Sequence, residues 1–246
     1  MSSILRVLIF LSLLLPALAQ SPLPDSCQQL VLVIAPDWDS PKASLERFER
    51  SANGAWKAVG QPIPVILGRS GLGWGLGEHI PTGDGPAKKE GDNKAPAGIF
   101  AITQLWLRPG IAAPVAGGYP AQIIQADTIA VDDPNSRLYN RIIRTSTTPN
   151  PDWKSWEKMD IPDYDRVLVV AHNLAQPKPR QGSCIFIHRW EDSETPTSGC
   201  TAMDESHMVQ LINWLRPERK PRLVQLPQAL ARQWQQQGWI PSANSR

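Results

Sequence analysis

The chain has 246 residues, 25 of them basic and 23 acidic, for a net charge of +2. This length gives one generous domain or two small ones, with enough interior to fold without crosslinks. The charge balance excludes the strongly basic surface of a nucleic-acid-binding domain, and 17 glycines with 24 prolines speak against a helical bundle and for short strands joined by turns.

Residues 1–19, MSSILRVLIFLSLLLPALA, carry one positive charge at Arg6 and an apolar run from Val7 to Leu15. They end in the small-x-small sequence Ala17-Leu18-Ala19. That is the pattern of a cleaved signal peptide, and the run is too short to span a bilayer. The expectation is an exported, periplasmic protein whose mature chain starts at Gln20 and has no membrane span. A retained anchor is the rival reading. Cys27 follows LPDS, which is not a lipobox.

Further along, QLVLVIAPDW (29–38) reads as a buried strand. Ser40-Pro41 reads as a helix start, with Leu45, Phe48 and Ala52 on one helical face. PIPVILG (62–68) is a short strand. Residues 68–98 are rich in glycine but match neither phosphate-binding glycine spacing, so they read as a mobile loop or irregular hairpin bordering a groove. Strands are expected at 98–106, 121–133, 165–173 and 184–190. Met208, Leu211, Ile212 and Leu215 have helical spacing, with Asp204 as the cap. A last strand falls at 221–227. The Gln-rich residues 228–246 form a tail with one short helix that then frays.

The chemistry centres on two residues. Three cysteines, Cys27, Cys184 and Cys200, in an oxidising compartment leave one thiol unpaired. A thiol needs a base or a positive field to become a nucleophile, and histidine is the base that titrates nearest neutrality. His188 ends a strand, and a polar turn with Pro196 and Gly199 leads back to Cys200. Gly199 allows close approach of a substrate, where backbone N–H groups can hold an oxyanion. Residue types alone leave two readings open: a nucleophile and its base, or a small core cysteine and a satisfied strand-end histidine. A zinc site from His188, Cys200, His207 and Cys184 matches no common spacing.

IFIHRW (185–190) followed by PTSGCTAM (196–203) resembles the signature of the L,D-transpeptidase catalytic domain of bacterial cell-wall enzymes. KAPAGIF (94–100), VDDPNSRLYNRII (131–143), YDRVLVVAHN (164–173) and GSCIFIH (182–188) are similar to further family segments. Together they make 20–227 the expected catalytic domain. The resemblance implies a mainly β fold, a curved mixed sheet or sandwich with a few flanking helices. It implies peptidoglycan stem peptides as substrate, Cys200 as nucleophile, His188 as base, a thioester intermediate, 3→3 crosslinks and no cofactor. It implies, too, that a carbapenem acylates Cys200. An L,D-carboxypeptidase or amidase with the same dyad, or a catalytically weak wall-binding protein, are the alternatives. Gly199 and Cys200 N–H groups would form the oxyanion hole, with Ser198 near it. Tyr139, Asn140, His172 and Asn173 would line the groove, His172 more as a structural hydrogen-bonding residue than a catalytic one, while His79 and His207 stand outside the chemistry. Protein partners are left open. Many members carry a longer loop between His and Cys and a second His where this chain has Ser198.

A Cys27–Cys184 disulfide would fit this picture and leave Cys200 free. Three free thiols or a Cys184–Cys200 bridge remain the alternatives. Strand alternation puts Cys184, Phe186 and His188 on one face, with Cys184 about 13 Å from His188 at ~3.3 Å per residue.

Overall fold

The computed structural model describes residues 21–114 and 118–242. The expected signal peptide lies outside the described residues. Among the described residues, fourteen strands and two α-helices run in the order β1 (Gln29–Ala35), β2 (Lys42–Arg50), β3 (Trp56–Ala58), β4 (Ile63–Ile66), β5 (Leu72–Trp74), β6 (Ala95–Leu107), β7 (Ala121–Ile123), β8 (Thr128–Val131), β9 (Arg141–Arg144), β10 (Trp156–Lys158), β11 (Arg166–Val170), β12 (Phe186–Arg189), β13 (Thr201–Met203), α1 (Glu205–Trp214), β14 (Arg222–Pro227) and α2 (Gln228–Gln236). The fold is mainly β, as the sequence indicates.

Neighbouring strands follow the order β1-β14-β6-β11-β12-β13-β4-β2, and β2 also pairs with β1. The curved sheet therefore closes on itself. It is mixed: β1–β14 and β12–β13 are parallel, while β11 pairs antiparallel with both β6 and β12. Inside lies the main core, with Leu30, Leu32, Phe100, Leu168, Ile187 and Met203 among its members. A second, three-stranded sheet, β10-β8-β9, is separate. A second apolar cluster joins Ala130 of β8 to Val167, Val169, Phe186, Cys184 and Cys200. β11 divides its side chains between the two clusters, Leu168 and Val170 to one and Val167 and Val169 to the other, as the pleat requires.

Residues 42–50 are a strand and not the helix read from Ser40-Pro41. β2 bonds to β1 on one side and to β3 and β4 on the other. Leu45 and Phe48 lie on opposite faces and both are buried. A strand covered on both sides near its end mimics helical spacing. Arg47 and Arg50 lie over the rings of Trp214 and Trp56, 5.7 and 4.7 Å from the centroids. The segment 121–133 is two strands, broken where Thr128 N–H donates to Gln125 O and Gln125 N–H to Thr128 Oγ1 (2.8 Å).

The glycine-rich segment holds β5, which pairs in parallel with the start of β6. Gly98 is required there. Its φ is +131°, and a Cβ would stand 1.8 Å from the His79 ring. His79 itself is structural, accepting from Ile99 N–H at 3.0 Å and packing between Trp74 and Phe100. Asp204 caps α1 by accepting from Ser206 N–H. α2 is part of the main core through Leu230, Ala231 and Trp234, and packing continues to Ile240, where a frayed tail is expected. No helix among the described residues is long and apolar enough to cross a membrane.

Candidate active site

The parallel pairing of β12 and β13 builds the site. His188 stands opposite Ala202, so Cys200 lies two residues back, alongside Phe186. Phe186 and Cys200 share the second cluster, while Ile187 and Met203 point into the main core. His188 and Cys200 therefore project from the same face of neighbouring strands. Both open on one cavity of about 450 Å³. Strand 12 begins at Phe186 rather than at Cys184, whose φ of +54° is left-handed. Cys184 lines the same cavity all the same.

The loop from His188 to Cys200 is short and well held. Asp192 accepts from the N–H groups of Glu194 and Thr195, both at 2.7 Å. Thr197 is bridged to the glycine-rich segment, its N–H on Leu67 O and its carbonyl on Arg69 N–H. Its hydroxyl donates to Cys200 O (2.7 Å) and accepts from Gly199 N–H (3.1 Å). Gly199 has φ of +153°, and a Cβ there would stand 3.1 Å from Lys94 O. One of the two N–H groups expected in an oxyanion hole is thus already bonded. Ser198 is exposed at the cavity rim.

Electrostatics define the resting state. Burial, aided by the charge of Glu157, pushes the Cys200 thiol up to about 12. The thiol donates to Cys184 O at 3.6 Å. Burial lowers His188 to about 4. Its Nδ1 faces Arg189 O at 2.6 Å, which places the ring proton on Nδ1 and leaves the lone pair on Nε2. The pair therefore rests as thiol and neutral imidazole, with the imidazole in the tautomer that can accept a proton at Nε2.

Tyr164 completes this wall. It closes a single turn of 3-10 helix, Pro162–Tyr164, and its ring meets Phe186 and His188 edge-on. Its hydroxyl donates to Glu157 Oε2 at 3.2 Å. Burial first, then Asp132 and Glu90, raises the Glu157 carboxyl to about 7. Lys88 is the buried cation of the cavity, tied to Asp92 at 2.6 Å. Tyr164 and Glu157 escape a reading of the sequence. The WEK strand that carries Glu157 has no motif, and Tyr164 begins a resemblance segment with nothing to mark it as a contact of His188.

The four residues expected to line the groove stand behind it. Asn140 donates from Nδ2 to His172 O (3.0 Å) and Asn173 O (2.7 Å), and accepts from Cys184 N–H at Oδ1 (2.9 Å). Asn173 donates to Lys178 O and Gly182 O. His172 accepts from Leu76 N–H at Nδ1, so its Nε2–H donates to Gln181 O. Burial lowers it to about 4. Tyr139 is buried and donates to Glu90. Asn140, His172 and Asn173 spend these polar atoms on backbone groups, and none of the four is among the residues lining the cavity of Cys200.

Cys27 and Cys184 are not joined; all three cysteines are free and buried. Cys27 belongs to the main core and Cys184 to the second cluster. Among the described residues no group of three or more His, Cys, Asp or Glu could hold a metal ion.

A model of the L,D-transpeptidase catalytic domain family, YkuD, matches residues 56–224. Comparisons with curated proteins and with solved structures give no match. The chain belongs to the L,D-transpeptidase catalytic domain family.

Proposed function

We propose that this protein is an exported peptidoglycan L,D-transpeptidase that works through a thioester on Cys200. The observation that carries the reading is the placement of Cys200 and His188 on one face of paired strands, opening on one cavity, in a chain of this family. His188 Nε2 takes the Cys200 proton, and the thiolate attacks the carbonyl between residues three and four of a tetrapeptide stem. The C–N bond breaks, and D-alanine leaves with the proton returned from His188. The amine of a neighbouring diaminopimelate side chain then attacks the thioester. It gives its proton to the imidazole, the C–S bond breaks, and a 3→3 crosslink forms as the thiol is restored. The Gly199 N–H is bonded to the Thr197 hydroxyl, so the oxyanion is assigned to the Cys200 N–H. Every step uses groups of the protein and its substrate. The amino-terminal pattern of residues 1–19 supports export to the periplasm.

Incubation of the mature chain with tetrapeptide muropeptides, followed by mass spectrometry of the products, tests this. Dimers linked 3→3, absent with Cys200→Ala, are the expected result. Tripeptides alone would move the assignment to an L,D-carboxypeptidase. No turnover by a folded protein would overturn it.

A further inference from the structure

Three observations meet at Tyr164. Its ring stands 5.0 Å from that of His188, nearly perpendicular at 73°. Its hydroxyl is bonded to Glu157. Glu157, Tyr164, His188 and Cys200 all line the same cavity. A tyrosine hydroxyl has one proton, so it serves one acceptor at a time. We infer that Glu157, linked to the couple through Tyr164, is a positioning residue that decides whether Cys200 is held as an inert thiol or released as a thiolate. This rests on the reading of Cys200 as the nucleophile.

The logic is one of charge. With Glu157 ionised, the Tyr164 proton is committed to the carboxylate, and a second negative charge on Cys200 is opposed in a water-poor setting. With Glu157 neutral, the hydroxyl is released and can turn to the sulfur, where it stabilises the thiolate. Among influences on the Cys200 thiol, Glu157 is the largest after burial, and a Tyr164 hydrogen bond acts in the opposite sense. The groups around Glu157 favour its neutral form. Asp132, beyond β8, and Glu90, from the segment before β6, both add negative charge. The Cys184 and Cys200 thiols bring no positive charge. The Lys88 ammonium is bonded to Asp92 and Lys89 O. A proton, or a cationic group of the substrate at this wall, therefore switches the couple on.

The test is the rate of alkylation of Cys200 by iodoacetamide, assigned by peptide mapping and followed from about pH 5 to about pH 12. It compares the wild-type chain, Glu157→Gln and Tyr164→Phe. Glu157→Gln is expected to lower the midpoint by about one unit, which is about tenfold faster alkylation below it. Tyr164→Phe, which loses the donor, is expected to raise it. A change that only loosened the fold would move both variants the same way. Coincident midpoints for Glu157→Gln and the wild type overturn the inference, as do shifts of one sign in both variants. If Glu157→Gln fails to fold, Tyr164→Phe decides: an upward shift supports the inference, and no shift overturns it. Failure of Cys200 to react in any folded protein removes both this inference and the proposed nucleophile. Normal titration without crosslinked product removes only the proposed transpeptidation.

Discussion

Asn140 holds Cys184 in place. Its Oδ1 accepts from the Cys184 N–H at 2.9 Å, while its Nδ2 donates to the carbonyls of His172 and Asn173. The Cys184 carbonyl is in turn the acceptor of the Cys200 thiol. Through these bonds a residue behind the cavity sets the backbone that the Cys200 thiol rests on.

Asn140→Ala is expected to cost about 3 kcal/mol of stability, because it leaves a buried N–H and two carbonyls unpaired. Its φ of +62° adds a further penalty for alanine. Asn140→Asp keeps the acceptor for Cys184 but turns a carboxylate toward two carbonyls, so it is expected to be no better. Urea denaturation checks both, and a loss below about 1 kcal/mol for Asn140→Ala would contradict the role assigned.

The thiols give a second prediction. All three cysteines are free, so titration in denaturant without reductant is expected to find three thiols per chain. A single thiol would show that one disulfide forms, Cys27–Cys184 or Cys184–Cys200, which peptide mapping tells apart. Reductant is expected to leave the melting temperature unchanged.

Stability follows pH through three groups. His172 and His188 are lowered by burial to about 4, so the stability they contribute is present above about 6.5 and is lost as pH falls toward 4. Each is worth about 3 kcal/mol at most. Glu157 is raised by burial to about 7, so its contribution is present below about 4.5 and is lost as pH rises through 7. Two histidines outweigh one carboxyl. The urea midpoint is expected to climb between pH 4 and 6.5, and to climb more steeply in Glu157→Gln. An unchanged slope in that variant would show that Glu157 is not buried as a neutral acid.

Much of this was legible in the sequence. Runs such as QLVLVIA and RVLVV are dense in β-branched residues and become β1 and β11 as read. The Asp204 cap and the apolar spacing behind it become α1. His188 and Cys200 are singled out by their types and their turn, which leave two readings open, and the resemblance of the surrounding segments to the family chooses between them. β2 was misread because Leu45 and Phe48 are buried on opposite faces, which no single periodicity reveals. Glu157 and Tyr164 meet Cys200 only through the packing of the small sheet on the large one. Likewise, the backbone bonds made by the amides of Asn140 and Asn173 are set by tertiary packing and carry no sequence signal.

The most direct test of the central claim is intact-protein mass spectrometry after incubation with a carbapenem, run beside Cys200→Ala and Cys184→Ala. The account predicts one covalent adduct on the wild-type chain and on Cys184→Ala, and none on Cys200→Ala. An adduct that persists in Cys200→Ala, or no adduct on a folded wild-type chain, would contradict it.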